Sequence, residues 1–183
     1  MAKSDWVHVQ RSTRETKIDL KLRLNGSGQV KLSVEPYFLR HMLESFALHG
    51  GFDLHVKAQG EDEHHLIEDV GISLGQAIRK AIPHLRMERI SHTIIPMDDA
   101  LVLVALDLVD RPFAQIELPI SIYAHFMRSM ALEGKFTLHV RPLAGIDSHH
   151  VVEAAFKGLG RALRQAVRPL ARVSSTKGEV EWR

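Results

Sequence analysis

Two short segments of the chain carry one chemical pattern. His64-His65-Leu-Ile-Glu68 and His149-His150-Val-Val-Glu153 both read His-His-x-x-Glu. On a helix the first His and the Glu are four residues apart and share a face. The second His is three residues from the Glu and is also its neighbour. One His and the Glu can grip one ion while the other His points toward another. His41 and His125 stand at matching places ahead of these segments. The set is His41, His64, His65, Glu68, His125, His149, His150 and Glu153, which suits two ions with about four protein ligands each and leaves open positions on a six-coordinate metal. Imidazole with carboxylate suits manganese, iron or zinc. The chain has 12 His and no Cys, which excludes disulfides and disfavours a closed thiolate zinc site. A lone His on a helix is usually solvated or hydrogen-bonded, so it is the recurrence that marks these as ligands. His55 and His139 also recur, each in Leu-His-Val, and are expected to support the metal-bound His or to lie at an interface. His8, His84 and His92 read as surface residues.

The recurrence extends beyond the polar residues. Residues 41–58 and 125–142 are identical at 9 of 18 positions at an offset of 84. Residues 64–82 and 149–167 are identical at 8 of 19 positions at an offset of 85, so one residue has been inserted between the blocks. The period is far longer than that of solenoid repeats and implies two fused half-domains. The halves are taken as residues 1–92 and 93–183.

Each half must place its ligands on helices. Lys17–Leu24 and Gln29–Val34 alternate as half-buried strands around Asn25-Gly26-Ser27-Gly28, a hairpin turn signal. Tyr37–Leu48 has helical spacing of Leu39, Met42, Leu43 and Phe46 and ends at Gly50-Gly51. Phe52, Leu54 and Val56 form a strand face, and His65–Ile82 is a second helix closed by Pro83. In the second half strands are expected at 89–95, 100–108, 112–118 and 135–141, with helices at 121–133 and 149–168. The fold class is α+β: two duplicated half-domains, each a mixed or antiparallel sheet with two helices on one face, packed as one subunit.

Composition narrows the function classes. The 183 residues are 45% apolar and 25% charged, which is globular and not disordered. Net charge is +2, from 24 basic and 22 acidic side chains, and no basic run is interleaved with aromatics, which argues against a nucleic-acid binder. No apolar run approaches the roughly 20 residues of a membrane span. The first residues lack an apolar signal core. A cytoplasmic location is expected.

These residues resemble the imidazoleglycerol-phosphate dehydratase family of histidine biosynthesis. The resemblance runs in family order through Arg11-Ser-Thr-Arg-Glu15-Thr16, Phe38-Leu39-Arg40-His41-Met42-Leu43, His64-His65-Leu-Ile-Glu68-Asp69 and Leu74-Gly75-Gln76-Ala77. Arg89, Pro96-Met97-Asp98-Asp99-Ala100-Leu101, Asp107-Leu-Val-Asp-Arg111-Pro112 and Thr137-Leu138-His139 follow. His149-His150-Val-Val-Glu153-Ala-Ala-Phe156-Lys157 and Ser175-Thr176-Lys177-Gly178 complete it. It implies a two-repeat subunit, two manganese ions per active site (other divalent metals being able to serve), and a hollow homo-oligomer of twenty-four subunits with sites between subunits. The eight residues above become the metal ligands. Arg89, Arg111, Ser175 and Lys177 take the phosphate-binding positions, and Glu15 contacts substrate. The implied reaction is dehydration of D-erythro-imidazole-glycerol phosphate to imidazole-acetol phosphate. A metal acidifies the ring N–H, an imidazolate expels the hydroxyl as a diazafulvene-like intermediate, and a base removes the side-chain proton. Glu15, Glu68 and Glu153 are the catalytic carboxylates, Glu15 first as base and the other two foremost as ligands.

The chain departs from the family pattern at several places. Arg40 stands for Asp, Glu35-Pro36 for Thr-Gly, Leu66 for Thr, Ser91 for Gly, Asp110 for Gly and Asp147 for Asn. Two alternatives follow: a diverged metal-binding assembly protein of the same fold with lost or altered catalysis, and a metal-dependent hydrolase of another small phosphate ester. Glu15, Arg89, Arg111 and Lys177 favour the dehydratase, because an assembly protein has no need of them.

Overall fold

A computed structural model of the chain describes residues 6–82 and 87–171. The first half runs β1 (Val7–Ser12), β2 (Thr16–Arg23), β3 (Val30–Ser33), α1 (Tyr37–Gly50), β4 (Asp53–Gly60) and α2 (Glu63–Ala81). The second runs β5 (Ile90–Met97), β6 (Ala100–Asp107), β7 (Phe113–Ile116), α3 (Ser121–Glu133), β8 (Thr137–Ala144) and α4 (Ser148–Ala166). Each half holds one four-stranded mixed sheet, ordered β1-β2-β4-β3 and β5-β6-β8-β7. Only the last pair of each sheet is parallel, because α1 and α3 are crossovers. The fold is thus α+β with duplicated halves.

Alternation drives the sheets. In β2 Ile18, Leu20 and Leu22 are buried, and in β6 Ala100, Val102, Val104 and Leu106. The helices cover these faces, and the halves meet through them: α1 packs along α4 and α2 along α3. The core is continuous across the halves.

Two glycines set how closely those helices cross. A Cβ on Gly75 of α2 would lie 2.3 Å from the Met130 carbonyl oxygen of α3. One on Gly160 of α4 would lie 2.3 Å from the Phe46 carbonyl oxygen of α1. Gly75 and Gly160 are equivalent in the two halves, so the same close crossing was kept twice.

Three features differ from the expectation or sharpen it. Residues 25–28 do not close a hairpin, because β4 lies between β2 and β3. Asp53, at the start of β4, accepts hydrogen bonds from the Ser27 and Gln29 N–H groups (2.8 and 3.0 Å) and folds that loop around the strand end. β1 is a further strand, pairing antiparallel with β2 from Val7↔Leu22 to Ser12↔Lys17. Its alternation rests on Val7 and Val9 alone, too little to read in advance. The inserted residue behind the change of offset is a β-bulge: Leu101 faces Ala144 and Val102 faces Pro142, which leaves Leu143 extra and half exposed.

Candidate metal and active site

The two His-His-x-x-Glu segments open the long helices α2 and α4. Asp62 caps α2 by accepting from the His65 N–H at 2.8 Å, and Asp147 caps α4 by accepting from the His149 N–H at 2.7 Å. Each cap fixes the first turn and with it both imidazoles. Asp62 and Asp147 are equivalent across the duplication. Asp147, where the family usually has Asn, caps as Asn does.

The close crossings bring in the third ligand from the other half. His41 of α1 joins His149 and Glu153 of α4, and His125 of α3 joins His64 and Glu68 of α2. In each trio the donor atoms lie within 4.8 Å of one another. The Nε2 atoms of His41 and His149 are each 3.1 Å from Glu153 Oε2. His125 Nε2 is 3.1 Å from Glu68 Oε1, yet it is buried and makes no hydrogen bond. A buried ring nitrogen aimed at a carboxylate without bonding to it fits a cation held between them. The helix spacing left open which His of each pair joins the Glu; here it is the first.

The second His of each pair faces a different carboxylate. His65 Nδ1 is 2.9 Å from Glu15, and His150 Nδ1 is 2.6 Å from Asp99. Glu15 and Asp99 both lie just before the second strand of their sheets, 84 residues apart, and are equivalent. Sequence reasoning named Glu15 and missed Asp99, although the offset was enough to find it. Asp99 also accepts from the Ile146 and Asp147 N–H groups. The His150 hydrogen bond, with these two, holds its carboxyl far below the usual range and raises the His150 imidazole. A carboxylate on Nδ1 orients the ring and leaves Nε2 as the ligand atom.

Glu15 is exposed, but its loop is anchored. Asp69 is buried and pairs with Arg11 at 2.7 Å and with the Thr16 hydroxyl. This explains Arg11, Thr16 and Asp69 as the brace that seats the Glu15 turn on α2. The equivalent positions in the second half are Ile95, Ala100 and Ala154.

The remaining phosphate-type residues lie elsewhere. The Arg89 N–H donates to Ala166 O at the far end of α4, seventeen residues beyond His149 and about 25 Å along the axis. Arg89 has φ 68 and pairs with Asp107 at 2.9 Å. Burial pushes the Asp107 carboxyl up in spite of that arginine. Arg111 follows Asp110, whose carboxylate meets Arg79 at the far end of α2. The chain therefore gathers its ligands and Glu15 at one end of the long helices, and Arg89 and Arg111 at the other. Ser175 and Lys177 lie outside the described residues.

Most departures find a local reason. Asp110 has φ 55, which Asp tolerates better than most residues and Gly best. Leu66 is a core residue, 2% exposed, matching Val151 in the other half. The Ser91 hydroxyl donates to Ala162 O at 2.7 Å. Arg40 is exposed and lies over the Tyr37 ring at 5.2 Å, a cation–π contact along the helix surface. His55 stacks on Trp6 and His139 on Phe113, on the sheet faces turned away from the helices. They do not support the ligands.

Comparison with known proteins shows the family. The family model for imidazoleglycerol-phosphate dehydratase matches residues 35–163. The imidazoleglycerol-phosphate dehydratase of Desulforudis audaxviator is 44% identical over 188 residues, covering 94% of this chain and 96% of its own. A crystal structure of IGPD from Pyrococcus furiosus superposes with a TM-score of 0.85 at 38% identity, over 94% of this chain and 100% of that one. The dehydratase structure from Staphylococcus aureus gives 0.82 at 28% identity, over 90% and 99%.

Proposed function

The chain belongs to the imidazoleglycerol-phosphate dehydratase family, lyases of histidine biosynthesis, and from that premise we propose how its residues do the chemistry. The substrate is D-erythro-imidazole-glycerol phosphate and the product imidazole-acetol phosphate. The observation that carries this reading is the pair of equivalent ligand trios, each with one half's short helix and the other half's long helix. His41, His149 and Glu153 would hold one divalent ion and His64, Glu68 and His125 a second, manganese in the first instance. His65 and His150 complete the ligand set, oriented by Glu15 and Asp99. When bound, such ions would supply Lewis acidity toward the substrate's imidazole ring. Glu15, exposed beside His65, takes the proton from the side-chain carbon once the hydroxyl has left, and the resulting enol becomes the ketone.

Arg89 and Arg111, with Ser175 and Lys177, bind the phosphate, Arg by paired N–H donors and Lys as a point charge. A ring, three carbons and a phosphate span about 10 Å at ordinary bond lengths, less than half the distance between the two ends of one chain. The arginines therefore act on the substrate of a neighbouring copy. This supports a homo-oligomer with sites between subunits; the number of copies, twenty-four, and a place in the cytoplasm are proposed from the family resemblance alone. No helix among the described residues is long and apolar enough to cross a membrane.

The test is turnover of imidazole-glycerol phosphate by the purified protein, with manganese and with a chelator. Manganese-dependent formation of imidazole-acetol phosphate is expected. Metal bound without turnover would overturn the reading.

A further inference from the structure

The duplication kept both ligand trios but placed one cation beside only one of them. Lys157 Nζ lies 2.8 Å from Glu153 Oε1, and its other contact is Met97 Sδ at 3.4 Å. It is four residues past Glu153 on α4, and its side chain is 21% exposed, so the ammonium is fixed and partly desolvated. The equivalent position on α2 is Ile72. Among the described residues no lysine or arginine pairs with Glu68. One trio is therefore two imidazoles and a neutralised carboxylate, and the other is two imidazoles and a full negative charge. Lys157 also occupies one oxygen of Glu153 and leaves only Oε2 facing His41 and His149, whereas among the described residues neither oxygen of Glu68 meets a lysine or arginine.

We infer that the two metal positions are unequal, and that Lys157 makes the His41, His149 and Glu153 position the weaker and more readily exchanged one. This rests on the metal reading above. An adjacent unit charge in a partly screened setting changes the affinity for a divalent ion by about 10- to 100-fold. Lys157 is thus a positioning residue: it acts through Glu153 and sets which ion leaves first.

The experiment is manganese titration of the purified, metal-stripped oligomer, with free ion followed by electron paramagnetic resonance and bound ion by elemental analysis. Two classes of site separated at least tenfold are expected. Lys157→Met should tighten the weak class tenfold or more, so that the classes merge. Ile72→Lys, tested separately, should weaken the tight class by a similar factor, and it decides the matter if Lys157→Met fails to assemble. A single class in the native protein, or classes unmoved by both substitutions, overturns this inference and leaves the metal reading standing. No manganese bound at all removes both.

Discussion

Gly160→Ala tests whether helix packing builds the site. The new methyl group would lie 2.3 Å from the Phe46 carbonyl oxygen and 3.0 Å from the Gly50 nitrogen, both backbone atoms that no rotamer change can move. An ordinary carbon–oxygen contact is over 3 Å, so α1 and α4 must part by about 1 Å. Such overpacking costs about 1–3 kcal/mol, against about 1 kcal/mol gained by replacing a helical Gly with Ala. The net loss of up to about 2 kcal/mol lowers Tm by up to roughly 4–8 °C for a chain of this length. The site responds more sharply, because metal–ligand distances tolerate only about 0.2 Å. Carried along two stiff helices, the displacement draws His41 away from His149 and Glu153. The expected result, from elemental analysis and thermal unfolding in chelator, is loss of one manganese class with the other kept. Gly75→Ala, crowding Met130 O at 2.3 Å, should remove the opposite class. If Gly160→Ala unfolds within 1 °C of the native protein and binds both ions unchanged, the crossing does not position His41 and the reasoning fails.

Four further outcomes follow. Burial pushes the Asp53 carboxyl up, but the Ser27 and Gln29 N–H groups and Arg23 overcome this and hold it at about 2. Ionised Asp53 thus adds about 2 kcal/mol that is present above pH 4 and lost as pH falls toward 2; in acid unfolding, Asp53→Asn should be less stable at neutral pH and lack that part of the acid decline. Glu15→Gln and Arg111→Ala should each be inactive, yet co-assembly from mixed, unfolded chains should restore up to about a quarter of native activity if each site takes the two residues from different subunits. No recovery from well-assembled hybrids would place both in one subunit's site. Leu66→Thr buries a hydroxyl in the core and should cost about 2–3 kcal/mol in denaturant unfolding with manganese content unchanged. Asp110→Gly relieves the positive φ and loses only a long surface pair with Arg79, so stability should change by less than about 1 kcal/mol and turnover should not change.

Ligand types and strand faces were legible because they follow local periodicity. Glu68 lies four residues after His64, and any helix puts them on one face. That His41 pairs with His149, from the opposite half, was not legible, because it depends on which helices cross. The clue was present in Gly75 and Gly160, equivalent residues whose missing side chains let backbone meet backbone, but a helical Gly does not name its partner. The hairpin reading of residues 25–28 failed for a related reason. Turn residues report that the chain bends and not which strand comes to lie beside it, and here Asp53, more than twenty residues on, holds the loop. Arg40 adjoins His41 in sequence without sharing its surroundings. One residue along a helix turns the side chain by about 100°, which carries it out over Tyr37.

What the two halves share and where they differ divides along chemical lines. The shared groups are three His, a Glu, an N-capping Asp, a carboxylate on the second His of each pair and a helical Gly. On the proposed reading these make an ion site, and two ions of one kind can be served by one design used twice. The substrate has no twofold axis, so a site that turns it over in one direction cannot keep both copies alike. The differences do fall around the ligands and not among them. Glu15 stands against the shorter Asp99, the brace of Arg11 with the buried Thr16 and Asp69 stands against Ile95, Ala100 and Ala154, and Lys157 stands against Ile72. Each alters reach, rigidity or charge beside an ion while leaving its donor atoms in place. Because each trio draws on both halves, no such change can be confined to one half: Lys157 on α4, by pairing with Glu153, bears through that carboxylate on His41 of α1.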